Sequence, residues 1–230
     1  MVTLKENELQ FLLQQSIIEW GENHFDTGLK YGQLAEYYYE KGQLKEAKKH
    51  YEKGLDIMRF RCSNVVGEAE SVILDYGSNL ARCHHGLGQV DEGYKLLLDL
   101  SEHFKDNLNK LDKQPWNKRL YFLEFIEINL NLADYLSSYK GRELEAIPFY
   151  EEIDKLYQED EEIDAMLKIV YKALIQNRIG TIFERIDNYS QAIEHYQNAL
   201  DYLLTIYDGS HYDILWVKNR IAECKDKGNL

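Results

Sequence analysis

Pairs of an aliphatic residue followed by a small residue recur five times along this chain of 230 residues. The pairs are Leu34-Ala35, Leu80-Ala81, Leu132-Ala133, Ile179-Gly180 and Ile221-Ala222. A second small residue follows each of the first four pairs after 12 or 13 positions, and these residues are Ala47, Gly93, Ala146 and Ala192. Two helices approach closely only where the side chains between them are small. The spacing therefore predicts repeated pairs of helices, in which one small residue serves each crossing.

Each repeat also carries a large residue four positions after its second small residue. These residues are Tyr51, Leu97, Tyr150 and Tyr196, and three positions further on stand Gly54, Leu100, Ile153 and Ala199. Spacings of three and four place such residues on one face of a helix, where the large side chain fills the gap beside a crossing. Between the two helices stand Gly42, Gly88, Gly141 and the pair Asp187-Asn188. Gly and Asn tolerate the left-handed conformation that ends a helix. We therefore predict an all-α chain of antiparallel helix hairpins.

The pattern resembles the tetratricopeptide repeat family over about residues 27–228. The first small residues are separated by 46, 52, 47 and 42 positions, which is longer than the usual period of about 34 residues. Long repeats with Asn before the aliphatic-small pair, as in Asn79-Leu80-Ala81 and Asn131-Leu132-Ala133, look like the kinesin light chain and the bacterial peptide-sensing regulators. The resemblance implies a right-handed superhelical solenoid whose first helices line a concave groove that grips a peptide or a partner helix.

The repeat register also predicts the organisation of the chain. We expect an N-terminal capping helix in residues 1–22, four hairpins in residues 23–209 and a C-terminal capping helix in residues 210–230, because the ends of a solenoid need covering. An alternative role for the first helix is a docking or dimer face. We expect the locally basic residues 105–119 to form a long link between hairpins, and Pro148 to bend its helix slightly.

The charge of the chain bears on its partners and its location. The formal net charge is −13, and an acidic surface repels the phosphates of nucleic acids and anionic lipid headgroups. We therefore expect a protein or peptide partner, with no nucleic acid and no membrane. The N-terminus lacks the features of a signal peptide, and the cysteines Cys62, Cys83 and Cys224 have no paired spacing. We expect three free thiols and a cytoplasmic location.

Motifs for catalysis, nucleotides and metals are missing from the sequence. It contains no Gly-rich phosphate loop, no G-x-S-x-G and no H-E-x-x-H. Adjacent residues such as His84 and His85 point about 100° apart on a helix, so we expect them to pack separately rather than to share a metal. We expect the acidic run of residues 151–164 to end one helix and begin the next, with a docking site for a basic partner as the alternative. We therefore expect no enzymatic activity and no cofactor.

The register places a candidate partner-binding groove on the first helix of each repeat. It comprises Gln33, Glu36, Asp75, Asn79, Arg82, Glu127, Asn131, Asp134, Arg178, Thr181 and Arg185. Side-chain amides suit a peptide because each offers a donor and an acceptor to backbone groups, although Asn79 and Asn131 could instead satisfy neighbouring helix ends. The charges predict a ligand with basic side chains over the acidic positions and an acidic group near Arg178.

Two functions fit this sequence. The first is a non-enzymatic module that binds a peptide or helix of a partner in the concave groove. The second is a structural subunit, fixed in a larger and possibly cytoskeletal assembly through its outer faces. A polar groove favours the first.

Overall fold

The computed structural model describes residues 5–62, 69–110 and 115–229. In these three segments the chain forms ten α-helices, one 3-10 helix and no strand, which confirms the predicted all-α class. The α-helices are α1 Glu6–Trp20, α2 Phe25–Glu40, α3 Leu44–Cys62, α4 Glu70–Gly86, α5 Val90–Lys110, α6 Pro115–Ser137, α7 Ile147–Glu159, α8 Ala165–Arg185, α9 Tyr189–Leu204 and α10 Tyr212–Gly228, and the 3-10 helix η1 is Glu143–Ala146.

The chain divides into two compact units, Met1–Asn131 and Leu132–Leu230. Unit 1 contains α1, the hairpins α2–α3 and α4–α5, and most of α6. Unit 2 contains the last turns of α6, then η1 with α7, the hairpin α8–α9, and α10. In unit 1, α1 packs on α2 and α3 packs on α4. In unit 2, α9 packs between α8 and α10, around a shared core that includes Tyr196, Leu200 and Val217.

The small residues of the repeat lie at the helix crossings, as predicted. Both small residues of each of the four complete repeats are buried. The large residues of the pattern are buried as well, and Tyr51, Leu97, Tyr150 and Tyr196 are at most 3% exposed. Ala222, the small residue of the fifth pair, is exposed.

The turns of the hairpins use left-handed residues at the predicted positions. Gly42, Gly88 and Gly141 have φ between 70° and 92°, and Asp187 has φ 58°. In the fourth hairpin, Asp187 takes the left-handed conformation and Asn188 caps α9, where its side chain accepts a hydrogen bond from the backbone N–H of Gln191. The two residues of this pair therefore divide the tasks of ending one helix and starting the next.

A tyrosine that the repeat pattern does not single out joins the first two hairpins. Tyr76 on α4 inserts between α2 and α3, where its hydroxyl donates a hydrogen bond to the Gly28 carbonyl at 3.3 Å. A Cβ atom at Gly32 would lie 1.9 Å from the Tyr76 hydroxyl oxygen, and one at Gly54 would lie 2.8 Å from the ring. These glycines are therefore required by the ring that fills the space above them.

Stacked histidines form a second feature that sequence reasoning missed. His50 stacks on Tyr38 in the first hairpin, with centroids 5.2 Å apart, and His195 stacks on Phe183 in the fourth, at 5.3 Å. Each histidine directly precedes the large residue of its repeat, and each partner stands three positions after the first small residue. Burial lowers the pKa of both imidazoles, so the neutral rings are favoured in the folded chain.

Two local expectations are corrected by the structure. The predicted link at residues 105–119 is largely helical, because α5 continues to Lys110 and α6 begins at Pro115, so only residues 111–114 separate the two helices. Pro148 lies in the first turn of α7, where its missing N–H has no helical partner, so it starts a helix rather than bending one.

Other expectations are confirmed by the structure, or stay predictions. The acidic run divides as expected, since α7 ends at Glu159 and Asp164 caps α8. Cys83 and Cys224 are buried free thiols, and the Cys62 side chain lies outside the described residues. α1 is a helix with Leu9 buried, but Trp20 is 54% exposed. The capping roles of residues 1–22 and 210–230 stay predictions.

We predict that Gly32→Ala lowers the free energy of unfolding by roughly 1–3 kcal/mol, because the added methyl group overpacks the site of Tyr76. In a helix without this ring, the same substitution would stabilise the chain by about 1 kcal/mol. Urea denaturation measures the difference. The matched control is Gln33→Ala, because Gln33 is the next residue and is exposed. This substitution should change the free energy of unfolding little. A Gly32→Ala chain as stable as the wild type would contradict this packing of Tyr76.

Candidate partner-binding face

Seven of the predicted groove residues lie in unit 1, on three helices that lie side by side. We call them the unit-1 face: Gln33, Glu36, Asp75, Asn79, Arg82, Glu127 and Asn131. Five are exposed, and Asn79 and Asn131 are half-buried. Arg82 on α4 reaches towards α2, where its guanidinium lies 5.0 Å from the centre of the Tyr39 ring. The structure thus brings these seven residues together on adjoining helices.

Helices α4 and α6 run in the same direction, and two contacts fix their register. Near the start of both helices, the Tyr121 hydroxyl donates a short hydrogen bond to the Glu70 carboxylate, which is buried. Further along, Asn131 Nδ2 donates to Ser78 Oγ at 3.0 Å. The partners are 51 residues apart at the first contact and 53 at the second. Asp75 therefore lies opposite Glu127, which is 52 positions later.

The amides of the unit-1 face differ in how many of their groups are already used. Gln33 accepts a hydrogen bond from Lys30, and Asn79 accepts one from Arg82, so both bonds stay within one helix. Asn131 instead joins α6 to α4 through Ser78. Neither asparagine bonds to a helix end through these contacts. Among the described residues, the N–H groups of the Gln33 and Asn79 side chains donate no hydrogen bond to the chain, so both amides keep donors for a partner.

A buried carboxylic acid behind this face was missed by the sequence analysis. Glu124 precedes Glu127 by one helical turn and is only 5% exposed, and its Oε2 atom has no hydrogen-bond partner among the described residues. Burial, together with the charges of Glu127, Glu70 and Asp75, raises the pKa of Glu124 to about 7. Burial also raises the pKa of Asp75. The pKa of Glu127 is raised by burial and by the negative charge of Asp75. The one sequence signal for this site was the position of Glu124 three residues before the predicted groove residue Glu127.

The four predicted residues of unit 2 already form hydrogen bonds to other residues of the same unit. Arg178 Nη1 donates to both carboxylate oxygens of Asp134, at 2.9 and 3.0 Å, and the Tyr150 hydroxyl donates to the same carboxylate. Arg185 donates to the Ser137 carbonyl at 2.6 Å, and Thr181 bonds to the Tyr196 hydroxyl at 3.1 Å. The sequence predicted that an acidic group of the ligand would lie near Arg178. In the structure, Asp134 of the chain itself balances the charge of Arg178.

Comparison with known proteins identifies the fold. Residues 31–58 match the family model described as tetratricopeptide repeat. No curated protein matches the sequence. Among solved structures, BtubC (BKLC) from P. vanneervenii is similar with a TM-score of 0.60 and 15% identity, over 97% of this chain and 81% of that one. A putative kinesin light chain with TPR-like repeats from P. anserina has a TM-score of 0.61 and 16% identity, over 90% and 89% of the two chains.

The chain has the tetratricopeptide-repeat fold. The apo form of the quorum sensor NprR from B. thuringiensis is also similar, with a TM-score of 0.57 and 16% identity over 97% of this chain. The chain spans 54% of the length of NprR. At these identities, the likeness concerns the fold.

A buried ion-pair network stabilises the last part of the tetratricopeptide-repeat fold. Glu184 on α8 is 8% exposed and is paired with Arg220 and Lys227 on α10, and it accepts a hydrogen bond from Tyr196 on α9. Burial alone would raise the pKa of Glu184, but the bonds from Lys227, Arg220 and Tyr196 lower it overall. Three helices are thereby tied to one carboxylate, which gives this cluster a structural role.

The tetratricopeptide repeats show no metal centre where they are described. Within residues 5–62, 69–110 and 115–229, no group of three or more His, Cys, Asp and Glu residues could hold a metal ion. His84 is buried and bonds to Gln89, whereas His85 is exposed, so the two histidines face different surroundings as expected. None of the described helices is long and apolar enough to cross a membrane.

We predict that Glu124 makes the stability of the chain depend on pH between about 4.5 and 7. The folded chain holds the Glu124 proton more tightly than the unfolded chain, so the stability is greatest at low pH and falls as the pH rises through this range. The loss at pH 8 should reach about 3 kcal/mol, since the pKa rises from 4.5 to about 7 and one pKa unit corresponds to about 1.4 kcal/mol. Urea denaturation at several pH values should show a weaker fall for Glu124→Gln than for the wild type. Parallel curves for the two proteins would contradict the assignment.

Proposed function

We propose that the chain is a non-enzymatic protein-interaction module and that its unit-1 face binds a peptide or helix of a partner protein. One observation carries this proposal. Along α2, α4 and α6, the small and aliphatic residues are buried in the hairpins, while polar residues at the neighbouring positions stay accessible. Surfaces of this kind in tetratricopeptide repeats usually grip a peptide or a partner helix, which supports an adaptor or scaffold function.

The proposed binding uses the two asparagines to contact the backbone of the partner. A carboxamide offers two N–H donors and an acceptor, which together match the alternating groups of a peptide backbone. Asn79 uses its oxygen for Arg82, so its N–H groups are offered to a partner carbonyl. Asn131 uses one N–H for Ser78 and offers its oxygen and second N–H. Recognition of this type reads the course of the backbone more than its sequence.

In unit 2, the corresponding positions already bond to residues of the same unit. The Asp134–Arg178 pair would have to open before either charge could meet a partner. We therefore assign the proposed contacts to unit 1, and a part for Thr181 and Arg185 stays a prediction. The net charge of −13 supports a protein partner over nucleic acid or an anionic membrane. Buried free thiols at Cys83 and Cys224 support a location in the cytoplasm.

A structural subunit in a larger assembly is the second candidate function. Exposed apolar side chains on the first and last helices favour it: Phe11 is 62% exposed, Ile18 69% and Tyr212 75%. Under this alternative, α1 and α10 would contact neighbouring proteins, and the unit-1 face would stay open to solvent. The two functions thus place the partner on different helices.

The test starts with a partner captured on the immobilised chain and identified by mass spectrometry. We expect Asn79→Ala to weaken its binding roughly 5- to 150-fold, because a lost buried hydrogen-bond partner costs about 1–3 kcal/mol. Asn198→Ala, on an exposed position of α9, is the matched control and should leave the affinity unchanged. If Asn79→Ala binds like the wild type, while Phe11→Ser or Tyr212→Ser fails to bind, the partner contacts the terminal helices and the second function holds.

A further inference from the structure

Three carboxyl groups of the unit-1 face meet where α4 and α6 lie side by side. Asp75 lies opposite Glu127 in the register fixed by Tyr121–Glu70 and Asn131–Ser78. Glu124 stands one turn before Glu127 and is buried. Among the described residues, none of the three carboxyl groups takes part in a hydrogen bond or an ion pair. Like charges brought together without a counter-ion destabilise a folded chain.

Three basic residues of unit 1 have other contacts among the described residues. Arg82 bonds to Asn79 and lies over Tyr39, and Lys105 lies over the Phe125 ring at 6.0 Å. His103 bonds to Glu70 at 3.2 Å rather than to Asp75 or Glu127. In unit 2, by contrast, Asp134 on the same helix is balanced by Arg178. Helix α6 therefore carries Asp134, which is paired with an arginine, and two members of an acidic cluster that forms no ion pair with any described residue.

We propose that the cluster of Asp75, Glu124 and Glu127 is a binding site for an arginine side chain of the partner protein. This inference rests on the proposed function and names the chemistry of the segment that unit 1 binds. Asp75 and Glu127, which are exposed on opposite helices, would accept hydrogen bonds from the two sides of the guanidinium. Glu124 is buried one turn before Glu127, and a guanidinium bound at Asp75 and Glu127 would favour its charged form.

An arginine fits this cluster better than a metal ion does. No three acidic groups in the described part of the chain are arranged to hold a single ion. A guanidinium has five N–H donors spread over a planar fork, so it can bridge carboxylates that are too far apart for one ion. The Arg178–Asp134 pair of unit 2 shows the same chemistry within the chain, where one guanidinium nitrogen donates to both oxygens of a carboxylate. The partner's arginine would supply in unit 1 what Arg178 supplies in unit 2.

The first experiment uses Nα-acetyl-arginine amide as the probe in an NMR titration of the full ¹⁵N-labelled chain. We expect saturable shifts of the amide signals around Asp75, Glu124 and Glu127. The neutral citrulline analogue should bind at least about 10-fold more weakly, because a hydrogen bond to a charged group contributes about 1.5–3 kcal/mol. Equal shifts with both probes would overturn the proposal. The same shifts with Mg²⁺ or Ca²⁺ alone would also overturn it, in favour of a metal site.

The matching variant is Asp75→Asn/Glu127→Gln, which should lose at least about 10-fold in affinity for the arginine probe. Since it removes repulsion between unpaired charges, its unfolding midpoint should stay the same or rise, so lost binding would not reflect lost folding. Glu161→Gln/Asp226→Asn removes the same charge from exposed positions of unit 2 and should bind the probe like the wild type. Equal losses in both variants would show a general charge effect and would overturn the site.

The captured partner separates this inference from the proposed function. If its affinity falls with Asn79→Ala and also with Asp75→Asn/Glu127→Gln, both hold. If it falls with Asn79→Ala alone, unit 1 binds the partner but the arginine site is wrong. If the affinity of the partner falls with neither variant, while Phe11→Ser or Tyr212→Ser abolishes binding, the proposed function is wrong. The titration with the arginine probe then decides by itself whether the acidic cluster binds arginine.

Discussion

Close approach between helices is the constraint on which the rest of this structure depends. Every hairpin crosses at residues without a bulky side chain, and the space beside the crossing is filled by a large buried residue. In unit 1 the same principle joins one hairpin to the next, because Tyr76 occupies the space that Gly32 and Gly54 leave open. A helix held this closely has little freedom to rotate. Its polar residues are therefore held at fixed positions on the face that does not pack.

The two units use their polar residues in different ways. In unit 2, the charges are balanced internally: Asp134 pairs with Arg178, and Glu184 pairs with Arg220 and Lys227. In unit 1, Glu124 is buried without a hydrogen bond to its Oε2 atom, and Asp75 and Glu127 lie opposite each other. Buried groups without partners are rare in folded proteins because they destabilise them. Perturbed pKa values such as that of Glu124 are often found at functional sites, which adds support to placing the partner at unit 1.

The sequence predicted the features that depend on local spacing. The crossings at Ala35 and Ala192, and the left-handed turn at Gly42, follow from residue types at fixed intervals within one hairpin. Features that depend on the register between hairpins could not be predicted. The insertion of Tyr76, the pairing of Arg178 with Asp134, and the burial of Glu124 each require knowing which residues of separate helices lie opposite each other. A single sequence does not carry that information, since the links between hairpins vary in length.

The central claim is that a partner binds to the exposed polar face of α2, α4 and α6 in unit 1. Hydrogen–deuterium exchange, followed by mass spectrometry with and without the captured partner, tests it most directly. We expect the partner to slow exchange in peptides from residues 71–86 and 121–131, while peptides from α1 and α10 exchange as in the free chain. Slower exchange confined to α1 or α10 would contradict the account and would place the partner on the terminal helices.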